Sequence, residues 1–292
     1  YGSSDHTAEV CAREHVRHLW QANRGTAGAR DRGWREARGE LIVFFDDDTL
    51  PDPDVIRLLT EALAHADGVG AHFVALQKKS LISDYTHADG LIDHRVVAGE
   101  VRWLITGAAA FRRTALEAVN GFDLGFHAAG EDVDLSIRML QAGLCLITEP
   151  RAVVHHEHRA RFGQLLETCY RYGRFSPVLA GRHDTYRGER TASALRRLSP
   201  MQVVRTYHRF RSEATRRRSL AFLVLHEMVA FPYLLGLIRS HEAKRLAAPS
   251  WRQSAPAEQR PHTLPRLPQP DAVAPRADDL ADAAHGAKVR AV

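Results

Sequence analysis

The segment from residue 41 to residue 48 constrains this chain most, because five apolar residues run directly into three aspartates. Residues 41–45 are too few for a helix and rich in strand formers, as is typical of a strand buried on both faces of a parallel sheet. In open α/β sheets the ligand crevice lies at the carboxyl ends of the strands. Asp46, Asp47 and Asp48 therefore stand where a divalent cation and a substrate phosphate bind, unless they only form an acidic turn before the next helix.

Helix and strand patterns alternate over residues 1–156, which indicates an α/β fold with a mostly parallel sheet. The expected helices cover residues 7–20, 27–37, 55–64, 114–119 and 131–141. The expected strands cover residues 41–45, 69–76, 144–147 and 152–155. From residue 159 onward the pattern changes to helices that are rich in arginine.

The composition excludes several classes of protein. Of the 292 residues, 45% are apolar and 26% are charged, which excludes collagen-like, coiled-coil and fully disordered chains. The three cysteines form no Cys-x-x-Cys pair, so we expect neither a disulfide framework nor a thiolate zinc site. The net charge of +5 comes mainly from arginines, but aromatic residues are sparse among them, which argues against nucleic-acid binding.

A second acidic cluster, formed by Glu131, Asp132 and Asp134, stands at the start of a predicted helix. Carboxylates in the first turn of a helix are stabilised by the helix dipole, and this alone accounts for them. Alternatively, one of them acts as a general base toward a hydroxyl group, if it lies near a bound metal ion.

Two further segments carry candidate ligands. The small, basic segment 23–31 opens a helix, where backbone amides and Arg30 suit a phosphate, although a plain loop has the same composition. The segment lacks both the Gly-x-Gly-x-x-Gly spacing and the lysine of a P-loop. Among His155, His156 and His158, one histidine adds to a metal site held by the aspartates, or all are solvated at the end of a strand.

Six groups of residues follow one another in a recognisable order. They are Gly2-Ser3-Ser4-Asp5-His6-Thr7, Asn23-x-Gly25 with Ala29-Arg30-Asp31-x-Gly33, Phe44-Phe45-Asp46-Asp47-Asp48-x-x-Pro51-Asp52, Gly107 with Arg112-Arg113, Gly121-Phe122-Asp123, and Gly130-Glu131-Asp132-Val133-Asp134-Leu135. Their order and spacing resemble those of the family 2 inverting glycosyltransferases, which have the GT-A fold. The resemblance covers residues 1–160 and implies a Rossmann-like, mostly parallel sheet.

The resemblance also implies roles for particular residues. Asp48 would ligate Mg²⁺ or Mn²⁺ bound to the donor diphosphate, with Asp46 near the metal and the ribose and His156 completing the metal site. Asp132 would be the catalytic base that deprotonates the acceptor hydroxyl, and Glu131 would orient the acceptor.

The substrates implied by the resemblance are a nucleotide-diphospho-sugar donor and a hydroxyl-bearing acceptor, which is a lipid-linked sugar, a glycan or a metabolite. The implied donor-binding residues are Asn23, Gly25, Arg30, Asp46 and Asp47. We expect inversion at the anomeric carbon. One sugar is expected per event, because the Gln-x-x-Arg-Trp motif of processive synthases is absent.

The chain departs from this family at its start. Family members carry a strand with a Pro-x-Tyr/Phe-Asn pattern and a second, acid-ended strand before the Gly-Ser-Ser-Asp turn, and neither precedes Gly2. We therefore expect an N-terminally incomplete domain that binds the donor poorly. The alternative hypothesis is a non-catalytic membrane-surface or scaffold protein that retains a truncated GT-A domain. A nucleotidyltransferase of the same fold would show a glycine-rich basic loop after its first strand, which is missing.

The patterns predict three regions: an incomplete GT-A domain over residues 1–160, a basic helical extension over 161–246 and a disordered tail over 247–292. Residues 219–238 are the most apolar stretch and long enough to span a bilayer, although Glu227 interrupts them. The sequence leaves open whether this stretch spans a membrane, lies on it or packs within the protein. We expect a cytoplasmic protein, placed at the inner face of the cell membrane if the stretch binds lipid.

Overall fold

The structure is a computed structural model that describes residues 3, 5–76, 80–91, 93–188 and 200–239. Its helices are α1 (Thr7–Arg13), α2 (Gly25–Glu36), α3 (Val55–Ala62), α4 (Leu81–Asp89), α5 (Arg113–Ala118), α6 (Glu131–Gln141), α7 (Phe162–Arg182), α8 (Pro200–Glu213), α9 (Arg216–Met228) and α10 (Ala230–Ile238). Its strands are β1 (Leu41–Phe45), β2 (Thr49–Pro51), β3 (Gly68–Ala75), β4 (Arg95–Val97), β5 (Glu100–Trp103), β6 (Ala108–Arg112) and β7 (Leu146–His156). The predicted disordered tail, residues 247–292, lies outside the described residues.

Five strands form the main sheet in the order β1-β6-β3-β7-β2, and β4 pairs with β5 separately. Strands β3 and β7 are parallel, whereas the pairs β1–β6, β3–β6 and β2–β7 are antiparallel. The predicted α/β class is confirmed, but the expectation of a mostly parallel sheet is wrong for the described strands. An uninterrupted apolar run indicates that a strand is buried, and it carries no information on the direction of the neighbouring strand.

Strand β6 shows how the alternation of side chains builds two layers of core. Ala108 and Ala110 pack on one face of the sheet with residues of α3, among them Leu59. Ala109 and Phe111 point to the opposite face, where they pack with residues of α2, α5, α6 and α7. Because successive side chains of a strand point to opposite faces, this short strand contributes to both layers. The sheet is therefore covered by helices on both faces.

Two predicted elements differ from the observed ones. Helix α1 ends at Arg13 instead of residue 20, and His15 follows it with a φ of +55°. A residue whose backbone is in this left-handed region does not continue a right-handed helix. Strand β1 has the predicted bounds, but it lies at the end of the order of described strands, with Leu41 exposed and Ile42 buried. It is therefore less buried than the apolar run suggested.

The helices after residue 158 pack closely on one another, as the contact between α7 and α10 shows. A Cβ on Gly173 would lie 2.0 Å from the carbonyl oxygen of Tyr233, and a Cβ on Gly236 would lie 2.2 Å from that of Tyr170. The two helices approach each other this closely because both positions are glycine.

Ion pairs hold the C-terminal helices to α4. Arg218 of α9 bonds Asp84, while Asp89 accepts hydrogen bonds from Arg209 Nη2 at 2.7 Å and from His226 Nδ1 at 3.0 Å. The helical nature of this part of the chain is as predicted, and the limits of the three regions stay a prediction.

Candidate active site

A cavity of about 1420 Å³ opens at the carboxyl end of β1, between the start of α6 and one face of α7. The predicted residues that line it are Arg30, Asp46, Asp47, Asp48, Glu131, Asp132 and His156. The fold thus brings both acidic clusters into one cavity, although they are far apart in the sequence.

The turn after β1 is fixed by hydrogen bonds to its backbone. Asp46 N–H donates to the carbonyl oxygen of Gly107 at 3.0 Å, and Thr49 Oγ1 donates to the carbonyl oxygen of Asp46 at 2.6 Å. Glu157 N–H donates to the carbonyl oxygen of Asp48 at 3.0 Å. A Cβ on Gly107 would lie 3.0 Å from Asp46 Oδ2, so this position leaves little room for a side chain beside the carboxylate.

Arg30 of α2 joins the two acidic clusters. Its Nη2 donates to Asp46 Oδ1 at 2.6 Å, and its Nη1 donates to Glu131 Oε1. Burial acts to lower the pKa of Arg30, but the charges of Asp46 and Glu131 outweigh it and raise that pKa. The guanidinium group therefore stays charged and supplies the counter-charge that the carboxylates need. Arg30 was predicted to bind the donor, and its bonds to the acidic residues were not foreseen.

Asp132 stands in the first turn of α6, which begins after Gly130 at a φ of +92°. Its Oδ1 accepts a hydrogen bond from Val133 N–H at 2.8 Å. Burial, together with the charge of Glu131, raises the pKa of Asp132 to about 7, while Arg30 acts in the opposite direction. A carboxylate with this pKa exchanges a proton near neutral pH, which suits a general base.

His156 lies against the aspartate turn because β7 pairs with β2, with His156 opposite Thr49. His156 Nε2 lies 3.4 Å from Asp48 Oδ1. Both Asp48 Oδ1 and His156 Nδ1 are buried and have no hydrogen-bond partner within the described part of the chain. Burial lowers the pKa of His156, although Asp48 and Asp46 counteract it, and the neutral imidazole is the form that binds metals.

The neighbouring histidines have other partners. His155 Nε2 lies 3.1 Å from Asp52 Oδ1, and His158 Nε2 lies 3.4 Å from His87 Nδ1. Burial and the nearby His156 lower the pKa of His158 to about 4. Of the three histidines, His156 is therefore the one beside the Asp46–Asp48 turn. Among the described residues, no group of three or more His, Cys, Asp or Glu side chains is arranged to hold a metal ion by itself.

Asn23 and Gly25 do not line the large cavity. Asn23 Oδ1 accepts a hydrogen bond from Gly25 N–H at 2.9 Å, and both residues line a separate hollow of about 340 Å³. A Cβ on Gly25 would lie 1.8 Å from the carbonyl oxygen of His127, so the glycine permits the turn into α2 to pack there. Their predicted role in donor binding stays a prediction.

One face of α7 forms a wall of the cavity, which the sequence analysis missed by ending the catalytic region at residue 160. The residues of this face are Thr168, Arg171, Tyr172, Phe175 and Leu179. Their spacing of three or four residues is the signal that could have revealed a shared helix face. Burial, followed by the charge of Asp132, raises the pKa of Tyr172 to about 12, so its hydroxyl group stays protonated.

Buried charges support the start of α6 from behind. Asp134 accepts hydrogen bonds from Arg138 Nε at 2.8 Å and from His183 Nε2 at 2.9 Å. Arg182 Nη1 donates to Asp123 Oδ2 at 2.6 Å in the same region. Burial acts to raise the pKa of Asp134, but Arg138 and His183 lower it. This network ties α6 to the end of α7 and thereby holds Asp132 in place.

Sequence comparisons identify related proteins. The sequence model of the family described as Glycosyltransferase like family 2 matches residues 1–174. The pre-mycofactocin glycosyltransferase of Mycobacterium tuberculosis is 29% identical over 196 residues, which cover 62% of this chain and 40% of that protein. The O-antigen biosynthesis protein RfbC of Myxococcus xanthus is 27% identical over 176 residues, which cover 52% of this chain and 14% of that protein. The chain thus spans less than half the length of either relative.

A solved structure shares the fold. The mannosyltransferase PcManGT from Pyrobaculum calidifontis, in complex with GDP-Man and Mn²⁺, superposes with a TM-score of 0.51 and is 18% identical. The match covers 83% of this chain and 73% of that one. At this level of identity the similarity shows the fold alone, and it confirms the predicted GT-A fold.

Proposed function

This chain belongs to the glycosyltransferase-like family 2, and we propose that it transfers one sugar from a nucleotide-diphosphate donor to an acceptor hydroxyl group, with inversion at the anomeric carbon. One observation carries the proposal: Asp132, with a pKa of about 7, shares a cavity with the Asp46–Asp48 turn. A proton acceptor and a diphosphate-binding turn are the two parts that such a displacement needs.

In the proposed reaction, the acceptor hydroxyl loses its proton to Asp132 while its oxygen attacks the anomeric carbon opposite the leaving diphosphate. One glycosidic bond forms as the sugar–phosphate bond breaks, so the configuration inverts. Glu131 Oε1 is held by Arg30, whereas Oε2 is buried and has no hydrogen-bond partner among the described residues. That oxygen is free to accept a hydrogen bond from the acceptor, in keeping with an orienting role for Glu131.

We propose Mg²⁺ or Mn²⁺ as the cofactor, held by Asp48 and His156 with Asp46 nearby. Asp48 Oδ1 and His156 Nδ1 are buried and have no hydrogen-bond partner among the described residues, which fits a site that is completed on binding. Such ions take one or two protein carboxylates and fill their remaining positions with substrate phosphates and water, so a set of three protein ligands is not required. When bound, the cation would neutralise charge on the leaving diphosphate.

The class of donor is proposed from the Asp46–Asp48 turn and from the ligand of the related solved structure. PcManGT is solved with GDP-Man and Mn²⁺, and we propose a nucleotide-diphospho-sugar as donor for this chain too. The acceptor is the hydroxyl group of a lipid-linked sugar, a glycan or a metabolite.

Turnover distinguishes this proposal from a non-catalytic scaffold that retains the fold. Purified protein is incubated with Mn²⁺ and a panel of UDP- and GDP-linked sugars, and released nucleoside diphosphate is measured. The enzyme hypothesis predicts release from at least one donor that stops when the cation is chelated. A scaffold protein would give the same background with and without the cation.

We further propose that helices α9 and α10 lie on a membrane surface. They form one continuous helical stretch, Arg216–Ile238, which is long and apolar enough to cross a membrane, a test that core helices of soluble proteins also pass. Its exposed apolar residues recur every three or four positions, and they are Leu220, Val224, Met228, Phe231, Leu234 and Ile238. We call these six residues the apolar stripe. Exposed Glu227 lies on the same side, which favours a helix in the interface over one that spans the bilayer.

Charge next to the apolar stripe indicates which lipids it contacts. Arg216 and Arg217 are exposed at the start of the stretch, and Arg239 is exposed at its end. Arginines beside an amphipathic helix attract anionic headgroups. We therefore place the protein at the cytoplasmic face of a membrane that contains anionic lipid.

Phe231→Asp is expected to weaken binding to phosphatidylglycerol-containing vesicles by about tenfold or more, because it removes a large exposed apolar side chain that would insert into the lipid and adds a negative charge. Co-sedimentation measures the bound fraction. Ile56→Asp is the matched control, since Ile56 is also exposed but lies on α3, outside the stripe. Equal binding of the Phe231 variant and the wild type would exclude the stripe as the contact.

A further inference from the structure

Two arginines of the large cavity have no anionic partner among the residues that the structure describes. Arg159 and Arg171 both line the cavity, and neither forms a hydrogen bond or an ion pair with another described residue. Arg171 Nε is buried without a hydrogen-bond partner, and the guanidinium group lies 5.9 Å from the centroid of the Tyr172 ring. Arg30, in the same cavity, is by contrast bonded to two carboxylates. Within the described part of the chain, Arg159 and Arg171 thus differ from Arg30 in that no carboxylate pairs with them.

Two of the carboxylates that line the cavity, those of Asp89 and Glu131, are already bonded to other basic residues. Asp89, which also lines the cavity, accepts from both Arg209 and His226, and Glu131 is bonded to Arg30. Burying a guanidinium nitrogen without a partner is unfavourable, because the nitrogen loses water and gains nothing in exchange. An anion from outside the chain would remove that penalty.

The two arginines line the cavity from α7 and from the segment that follows β7. Arg171 is on the α7 face, one residue before Tyr172. The charge of Asp132 raises the pKa of Tyr172, and the charge of Arg171 acts to lower it. Arg159 follows β7 and is close enough to His156 to influence its charge. Thr168, one helical turn before Arg171, adds a hydroxyl group to the same wall. Because the charge of Asp132 acts on Tyr172, this wall lies near the proposed base.

We propose that Arg171, assisted by Arg159, binds an anionic group of the acceptor, either a phosphate or a carboxylate. This inference rests on the proposed function, because it assigns the α7 wall to the acceptor. A guanidinium group donates two parallel hydrogen bonds to such an anion, which fixes orientation as well as position. The acceptor is thus an acid that carries a hydroxyl group, and its acidic group anchors it while Asp132 takes the hydroxyl proton.

Equilibrium binding tests the anion site without turnover. Methyl phosphate is titrated calorimetrically into protein saturated with nucleoside diphosphate and Mg²⁺, so that the donor site is filled. We expect the wild type to bind and Arg171→Gln to bind at least about tenfold more weakly, since it loses a charge-assisted hydrogen-bonded pair. Arg161→Gln is the matched control, because Arg161 immediately precedes α7, is exposed and does not line the cavity.

A second arm distinguishes a soluble phosphate from a lipid phosphate. Sedimentation with phosphatidylcholine vesicles, with and without phosphatidic acid, is measured for the same variants in a Phe231→Asp background, which removes the apolar contact. Loss of phosphatidic-acid binding in Arg171→Gln, without methyl phosphate binding, would assign the site to a lipid-linked acceptor. Methyl phosphate binding that depends on Arg171 would assign it to a soluble one.

Two results would overturn the inference: equal binding of both probes by Arg171→Gln and the wild type, or no binding of either probe by the wild type. Arg171→Lys keeps the charge but loses the planar fork, so we expect it to bind with intermediate strength. It also provides a second variant on which the inference can be tested if Arg171→Gln fails to fold. The proposed function fails separately, if the wild type binds phosphate through Arg171 but turns over no nucleotide sugar.

Discussion

Asp132→Asn is expected to lower kcat for nucleoside diphosphate release by roughly 10³-fold, because it removes the proposed general base and keeps its shape. The same variant is expected to unfold at a higher temperature at pH 8. The pKa of Asp132 is about 7 in the folded protein against an ordinary value of 3.8, so folding disfavours the ionised form. That penalty is complete above pH 7, and the neutral amide does not carry it. Turnover and thermal unfolding are measured on the same preparation.

Asp134→Asn serves as the opposite control in the same helix. Arg138 and His183 lower the pKa of Asp134, although burial acts to raise it, so its ionised form stabilises the folded protein above the ordinary pKa of 3.8. We expect this variant to unfold at a lower temperature at pH 8. If Asp132→Asn lost stability as Asp134→Asn does, or kept wild-type turnover, the role assigned to Asp132 would be wrong.

Asp48→Ala is expected to lower kcat/KM for the nucleotide sugar by about 10²-fold or more, because it removes a proposed ligand of the divalent cation. It is also expected to abolish the increase in nucleoside diphosphate affinity that Mn²⁺ produces. Calorimetric titration of the nucleoside diphosphate, with and without Mn²⁺, measures that increase directly and does not depend on turnover.

The matched control for this variant is Asp54→Ala. Asp54 is exposed near the start of α3 and pairs with Arg57, outside the large cavity. Exposed pairs of this kind contribute little to stability, so nucleotide binding and unfolding should both stay close to the wild type. Mn²⁺-enhanced binding that survives in Asp48→Ala would show that the cation is held by other groups.

The sequence could locate the two acidic clusters at the ends of their elements because the signals are local, whereas the roles of these residues stay predictions. Three aspartates directly after an apolar run indicate a strand end, and Glu131 and Asp132 after a glycine indicate a helix start. The residues alone left open whether the two clusters meet, and only the resemblance to family 2 implied a shared site. The structure brings both clusters into one cavity, together with His156.

Other features depend on partners that local patterns do not reveal. The residues of β1 do not show whether β6 runs parallel or antiparallel to it, and the sheet is mainly antiparallel among the described strands. The basic segment around Arg30 indicated an anion, and in the structure Arg30 is bonded to two carboxylates of the chain itself, while its role in donor binding stays a prediction. Three adjacent histidines could not be ranked until the pairing of β2 and β7 placed His156 beside Asp48.

The wall formed by α7 was missed for a different reason. The change to arginine-rich helices after residue 158 suggested an appendage, whereas the first of these helices lines the cavity with Arg171 and Tyr172. A helix face that lines a cavity and a helix face that packs in a core share the same spacing. Only the tertiary structure distinguishes the two, and the family match, which extends to residue 174, includes the first part of this helix.

The pH dependence of kcat/KM for nucleoside diphosphate release tests the assignment of Asp132 as the base. Because the free enzyme must hold Asp132 ionised to accept a proton, log kcat/KM should rise with a slope of about 1 up to a pKa of about 7 and then level off. A profile that is flat from about pH 5 to 9, or that falls as the pH rises through 7, would contradict the account.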